Sequence, residues 1–197
     1  MLIDEISGFR LVTAPATEPV SLATARTALR ADGLGEDEYI MTLITVAREW
    51  AEAFTNRALI TQTWRATFDN GTLPTGNIIE LPRPPLVSVT SITYVDTDGD
   101  QQTLATSYYT VDTETSPGRI LFEDMPAIKS TLSSLVVNYT CGYGASGDDV
   151  PSRFHQAILY LVNHFYENRL PVQMAGNPVP VPMTAEWLLK ELKVRWL

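Results

Sequence analysis

The sequence predicts an α+β fold: a helical bundle of two N-terminal helices plus a later helix, interrupted by a small antiparallel β-sandwich or barrel. An extended C-terminal arm and a terminal helix follow. Three observations carry this reading. Over Glu36–Asn56 the apolar residues Tyr39, Ile40, Leu43, Ile44, Ala47, Trp50, Ala51 and Phe54 recur at spacings of three and four. From Leu59 the period becomes two, with Ile60, Gln62, Trp64, Ala66 and Phe68 alternating with threonines and Arg65. After Val150 the helical period returns through Phe154, Ile158, Leu161, Val162, Phe165 and Tyr166. These switches divide the chain into an N-terminal arm and helical hairpin (1–58), an antiparallel β insert (59–147), a helix completing the helical unit (148–170), and a Pro-rich arm with a C-terminal segment (171–197).

Taken in order, residues 1–19 carry Pro15 and Pro19 and read as an extended arm. Ser21 is a good N-cap for a short helix in which Leu22, Ala25 and Leu29 share a face, and Asp32-Gly33 ends it. The acids Glu36, Asp37 and Glu38 crowd the first turn of the second helix, where its dipole favours them, and Asn56-Arg57 closes it. A few residues around Gly33 and Gly35 join the two helices, as in a hairpin. Strands are expected through Phe68, then at Asn77–Leu81, Val87–Val95, Thr103–Val111, Arg119–Phe122 and Leu135–Thr140. Asp96–Asp100 and Ser116-Pro117-Gly118 supply turn chemistry between them, and Pro82, Pro84 and Pro85 break the chain. The third helix starts at Val150-Pro151-Ser152 and ends near Arg169. Pro171, Pro178, Pro180 and Pro182 prevent a regular helix up to Met183, and Thr184 then caps a last helix from Ala185 to about Lys193.

Composition bounds the function. With a net charge of −9, no basic run, 45% apolar and 19% charged residues, the chain is globular and unlike a free nucleic-acid-binding domain, which needs clustered Lys and Arg. A single cysteine, Cys141, excludes an internal disulfide and any cysteine-based metal site. The acidic start Met-Leu-Ile-Asp-Glu does not read as a secretory leader, and no apolar run reaches the ~18 residues that span a bilayer, so a cytoplasmic, non-membrane protein is expected.

No constellation of residues points to catalysis or a cofactor. His155 and His164 lie nine positions apart on one helix, about half a turn out of phase, and so do not share a metal. Gly142–Gly147 is glycine-rich but lacks a Gly-Lys-Ser/Thr ending and runs into Asp148-Asp149, which repel phosphate. Asp96, Asp98 and Asp100 resemble half a calcium loop without its closing Glu. The terminal helix is more informative. Trp187, Leu188, Leu192 and Trp196 give it apolar surface, and Lys190, Lys193 and Arg195 against Glu191 make the tail from Lys190 on net +2 in an acidic chain. Such a helix either packs back on its own chain or docks on a partner.

Several segments together resemble the head–tail connector (adaptor) family of tailed bacteriophages. They are Val20-Ser-Leu-Ala-Thr-Ala-Arg-Thr-Ala-Leu-Arg30, Glu36-Asp-Glu-Tyr-Ile40, the run Ala47–Trp64, Ile79-Glu-Leu-Pro-Arg-Pro-Pro-Leu86 with Ser88–Tyr94, Tyr139-Thr-Cys-Gly-Tyr-Gly144, Val150-Pro151, and Ala157–Arg169. The large β insert is similar to the family's longer branch, found in phages and gene transfer agents. The resemblance implies a structural, non-enzymatic subunit with no cofactor. It implies a homo-oligomeric ring, usually of twelve copies, in the neck of a virion or phage-like particle assembled in the bacterial cytoplasm. That ring would lie between the portal protein and a stopper or tail-completion protein. DNA would pass through it without sequence-specific binding, a passage that an acidic wall suits. C-terminal segments of the family tend to insert into the portal, which carries over to Trp187, Leu188, Lys190, Leu192, Lys193, Arg195 and Trp196. Two other classes stand beside this one: a soluble β-type binding module displaying Tyr94, Tyr108 and Tyr109, and a small acidic hydrolase, for which Glu80 and Asp112 lack a partner at a recognisable spacing.

Overall fold

The computed structural model describes residues 6–31, 33–69, 77–169 and 183–194. Asp32, the arm 171–182, Arg195 and Trp196 lie outside the described residues. The chain divides into two compact units, one of Thr17–Ile60 and Gly144–Lys193, the other of Met1–Ala16, Thr61–Tyr143 and Val194–Leu197.

The first unit is helical. Helix α1 (Leu22–Leu29) starts where the Ser21 hydroxyl accepts the Thr24 amide at 3.1 Å. It ends with Arg30 in the left-handed region (φ 54°), one residue pair before the expected Asp32-Gly33 stop. Helix α2 (Asp37–Thr55) follows a 3-10 turn at Leu34–Glu36 and closes on left-handed Asn56 (φ 57°), a residue whose short side chain tolerates that conformation. Helix α3 (Ser152–Glu167) begins after Pro151, and α4 spans Met183–Lys190. The terminal helix therefore starts ahead of Thr184, which sits in its first turn. Ile40, Leu43, Ile44, Ala47 and Ala51 of α2 are buried with Phe154, Ala157, Ile158, Leu161 and Val162 of α3. The 3.6-residue period creates these two stripes, and burying them supplies most of what holds short helices in water.

The second unit is all β. Strands β1 (Ile6–Thr13), β2 (Gln62–Phe68), β4 (Leu86–Val95), β5 (Gln101–Thr103) and β8 (Leu135–Cys141) form one antiparallel sheet in the order β1-β2-β8-β4-β5. Strands β3 (Ile78–Glu80), β6 (Tyr109–Asp112) and β7 (Arg119–Phe122) form a second, ordered β3-β7-β6. Neither sheet closes on itself, so the barrel alternative is corrected: among the described residues β1 and β5 are the edges of the larger sheet. Alternation sets its two faces. Ala66 and Phe68 of β2 lie opposite Val137 and Leu135 of β8, and all four are buried. Thr63 and Arg65 lie opposite Thr140 and Asn138 on the other face, where the Arg65 guanidinium donates to Asn138 at 2.8 Å and Asn138 donates to the Ser91 hydroxyl at 3.0 Å.

Two further expectations change here. The N-terminal segment supplies a sheet strand, β1, paired along β2. The single strand expected at Thr103–Val111 is two strands in different sheets. Leu104 is buried and its amide bonds Ile92 O, after which a 3-10 turn at Thr106–Tyr108 carries the chain from β5 into β6.

Candidate interaction surfaces

Each residue in α4 takes its place from helical geometry. Ala185 and Leu189, four apart, are buried, and the helix packs against α3. Met183 and Trp187, also four apart, point away and are 82% and 73% exposed. The end of the segment is tied down within the same unit. Arg57 Nε donates to Leu192 O at 2.7 Å, Lys193 Nζ sits 5.1 Å above the Phe54 ring, and Arg153 pairs with Glu191 at 2.6 Å. Phe54 in turn stacks on Trp50 at 5.0 Å. So the terminal helix packs back on its own chain with one face and presents Met183, Trp187 and Lys190 on the other. Of the expected interface residues, Trp187, Lys190 and Lys193 are exposed and Leu188 and Leu192 half-buried.

A polar clasp joins the start of α2 to the end of α3. The Glu36 carboxylate accepts the Tyr166 hydroxyl in a short hydrogen bond and the Arg169 guanidinium at 2.6 Å. Arg169 also lies 5.0 Å from the centroids of both the Tyr39 and Tyr166 rings. The Tyr166 hydrogen bond, then Arg169, holds the Glu36 carboxyl below its usual range, and the same bond pushes the Tyr166 phenol up. No sequence spacing announces this cluster, since its members lie some 130 residues apart.

Deeper in the helical unit Arg48 is buried between two carboxylates, with Nε 2.8 Å from Glu18 and a terminal nitrogen 2.9 Å from Glu52. Burial alone would depress its pKa, but Glu52 and Glu18 outweigh it and the guanidinium is held above its ordinary value. Glu52 also accepts the Leu59 amide at 2.8 Å, and Glu18 accepts the Thr45 hydroxyl at 2.9 Å. The network is a structural tie with its polar atoms engaged.

The motifs weighed for chemistry have local partners. His155 Nε2 lies 2.9 Å from Gly147 O, and His164 sits edge-on to Phe165. In the glycine-rich segment, a Cβ on Gly144 would fall 2.1 Å from Asp149 Oδ2 and one on Gly147 2.5 Å from Pro19 O, so close packing explains both glycines. Asp149 and Ser146 cap each other's amides in a capping box. The Asp96 carboxylate is taken up by the amides of Asp98, Gly99 and Asp100 and by Gln102, which pull its pKa down, the Gln102 bond most. Glu80 sits opposite Arg119, and Asp112 is paired with Arg119 at 2.7 Å. Among the described residues no group of three or more His, Cys, Asp or Glu side chains is placed to hold a metal, and no helix is long and apolar enough to cross a membrane.

The described residues thus form an α+β fold of four helices and two antiparallel sheets. No family model and no curated protein matches the chain. Solved structures do. It shares its fold with a chain in the neck of an empty gene transfer agent particle computed with C6 symmetry, at TM-score 0.72 and 24% identity over 96% of this chain and 97% of that one. A chain in the virion of a native gene transfer agent particle matches at TM-score 0.73 and 24% identity, with the same shares covered. A third, in the neck of a native particle computed with C12 symmetry, matches at 0.69 and 22% over 95% and 98%. The fold implied by the resemblance in sequence is thus the fold found, over nearly the whole of both chains.

Proposed function

We propose that this protein is a head–tail connector subunit: a structural, non-enzymatic component of the neck of a phage-like particle. It assembles as a ring, of twelve copies by analogy, beneath a portal protein and above a stopper or tail-completion protein, with DNA passing through. The observation that carries this reading is the end-to-end match of its fold to chains in gene transfer agent necks, both units included. The outward face of α4 supports it, because a Trp at 73% exposure beside an exposed Met is apolar surface that a neighbour would cover. In this reading Trp187 and Met183 enter an apolar site on the portal, and Lys190, Lys193 and the tail beyond them meet acidic groups.

Size-exclusion with light scattering, on the chain alone and with its portal protein, tests the proposal. A complex with the portal is expected. A monomer that ignores the portal overturns it. Removing Pro178–Leu197 is a poor probe of docking, since it strips Ala185 and Leu189 from α3 and exposes core. Trp187→Ala is cleaner: thermal stability stays within about 0.5 kcal/mol of the parent, as for surface substitutions generally, while portal affinity falls about tenfold or more.

A further inference from the structure

The larger sheet has two unlike edges. Among the described residues, β1 is hydrogen-bonded along β2 only and β5 along β4 only. Edge strands are usually kept short, charged or covered, because their free amides and carbonyls invite another strand. β5 is three residues long, but β1 is eight, and it exposes Phe9 (37%), Leu11 (42%) and Val12 (49%).

Charge distinguishes the edges further. On β1, Arg10 stands directly opposite Arg65 of β2. Like charges in that register repel. Arg65 is bonded to the neutral Asn138, and among the described residues neither arginine is in an ion pair. At the β5 edge the turn Asp96–Asp100 carries three aspartates, and Lys129 Nζ lies beside Gly99. Asp98 and Asp100 are exposed there. A carboxylate brought to Arg10 relieves its repulsion with Arg65, and the acidic turn gains a cation.

We infer that the β1 edge of one copy docks against the β5 edge and its acidic turn in the next copy, with Arg10 meeting Asp98 or Asp100. The occupant is a second copy of this chain because the complementary surface is on the chain itself. Joining two different surfaces head to tail also produces a closed ring when the rotation closes. The inference rests on the ring proposed above and locates its subunit contact.

Chains carrying Val12→Cys and Thr103→Cys, separately and together, test it. Both positions are exposed, and Cys141 is buried. A short bismaleimide is applied to the portal-bound chain and to the concentrated chain alone. The expected result is a 12–103 product when the single variants are mixed, and a ladder of multimers from the double variant. Adding Arg10→Glu should lower the yield about tenfold, and adding Asp98→Arg with Asp100→Arg should restore it. A chain that binds the portal but yields no 12–103 product overturns this contact and leaves the proposed function standing. If the portal is ignored, the proposed function fails, and the concentrated chain decides alone: a 12–103 product sustains the contact, and its absence overturns it.

Discussion

Tyr139 shows how one buried polar atom is settled. Its ring is fully buried in β8, its hydroxyl donates to Pro82 O at 2.8 Å, and burial pushes the phenol far up. Tyr139→Phe leaves the Pro82 carbonyl unpaired, and urea denaturation should register a loss of about 1–3 kcal/mol. Arg48 is the costlier tie. Arg48→Ala removes the cation that both Glu18 and Glu52 pair with, and should lose about 3–5 kcal/mol in the same measurement. The clasp at Glu36 gives a pH dependence. Its folded-state pKa is depressed, so its stabilisation is complete at neutral pH and is lost as pH falls through that depressed value. Tyr166 shifts the other way, so its part is present below its ordinary range and lost as pH climbs through the raised one. Glu36→Gln should therefore flatten the acid limb of a melting-temperature profile and leave Arg48-dependent stability alone. A carboxyl NMR titration placing Glu36 at or above its ordinary value would remove the basis for this expectation.

At the scale of elements, what the sequence made legible follows from where periodicity is strong. Helices α2 and α3 lie within a residue or two of expectation because each carries a full apolar stripe. The strands Arg119–Phe122 and Leu135–Cys141 match because β-branched and aromatic residues alternate there between clear turns. The β5–β6 stretch differs from the single strand expected because the β-favouring Thr, Tyr and Val residues of Thr103–Val111 run on both sides of a point where Leu104 turns inward and the chain changes sheets. Strand β1 stands where the sequence suggests an extended arm because its partner lies some fifty residues downstream, although Phe9-Arg-Leu-Val-Thr13 has the β-branched and aromatic content of a strand. The sequence marks Trp187 as apolar surface of the terminal helix, while its division into a buried Ala185–Leu189 face and an outward Met183–Trp187 face comes from packing on α3. The clasp and the Arg10–Arg65 pair were not, because they arise from tertiary register. Local packing also explains the glycine run. Gly144→Ala places a methyl on the Asp149 carboxylate and breaks the capping box that leads into α3, so a drop of about 1–3 kcal/mol is expected, read as a lower melting temperature.

On the scale of the whole molecule, the order of the units matters as much as their content. The helical unit is built from two stretches of chain separated by the central part of the β unit, Thr61–Tyr143. α2 ends at Thr55 and α3 begins at Ser152, about a hundred residues later. On a ribosome adding roughly 5–20 residues per second, the apolar stripe of α2 waits about 5–20 s before the helix that covers it is made. During that interval Ile40, Leu43 and Ile44 are a hydrophobic surface without a lid, the kind that folding helpers bind and that concentrated nascent chains use to aggregate. A polypeptide stalled after Cys141 should accordingly be cut by protease within its first sixty residues, and one extended past Glu167 should resist.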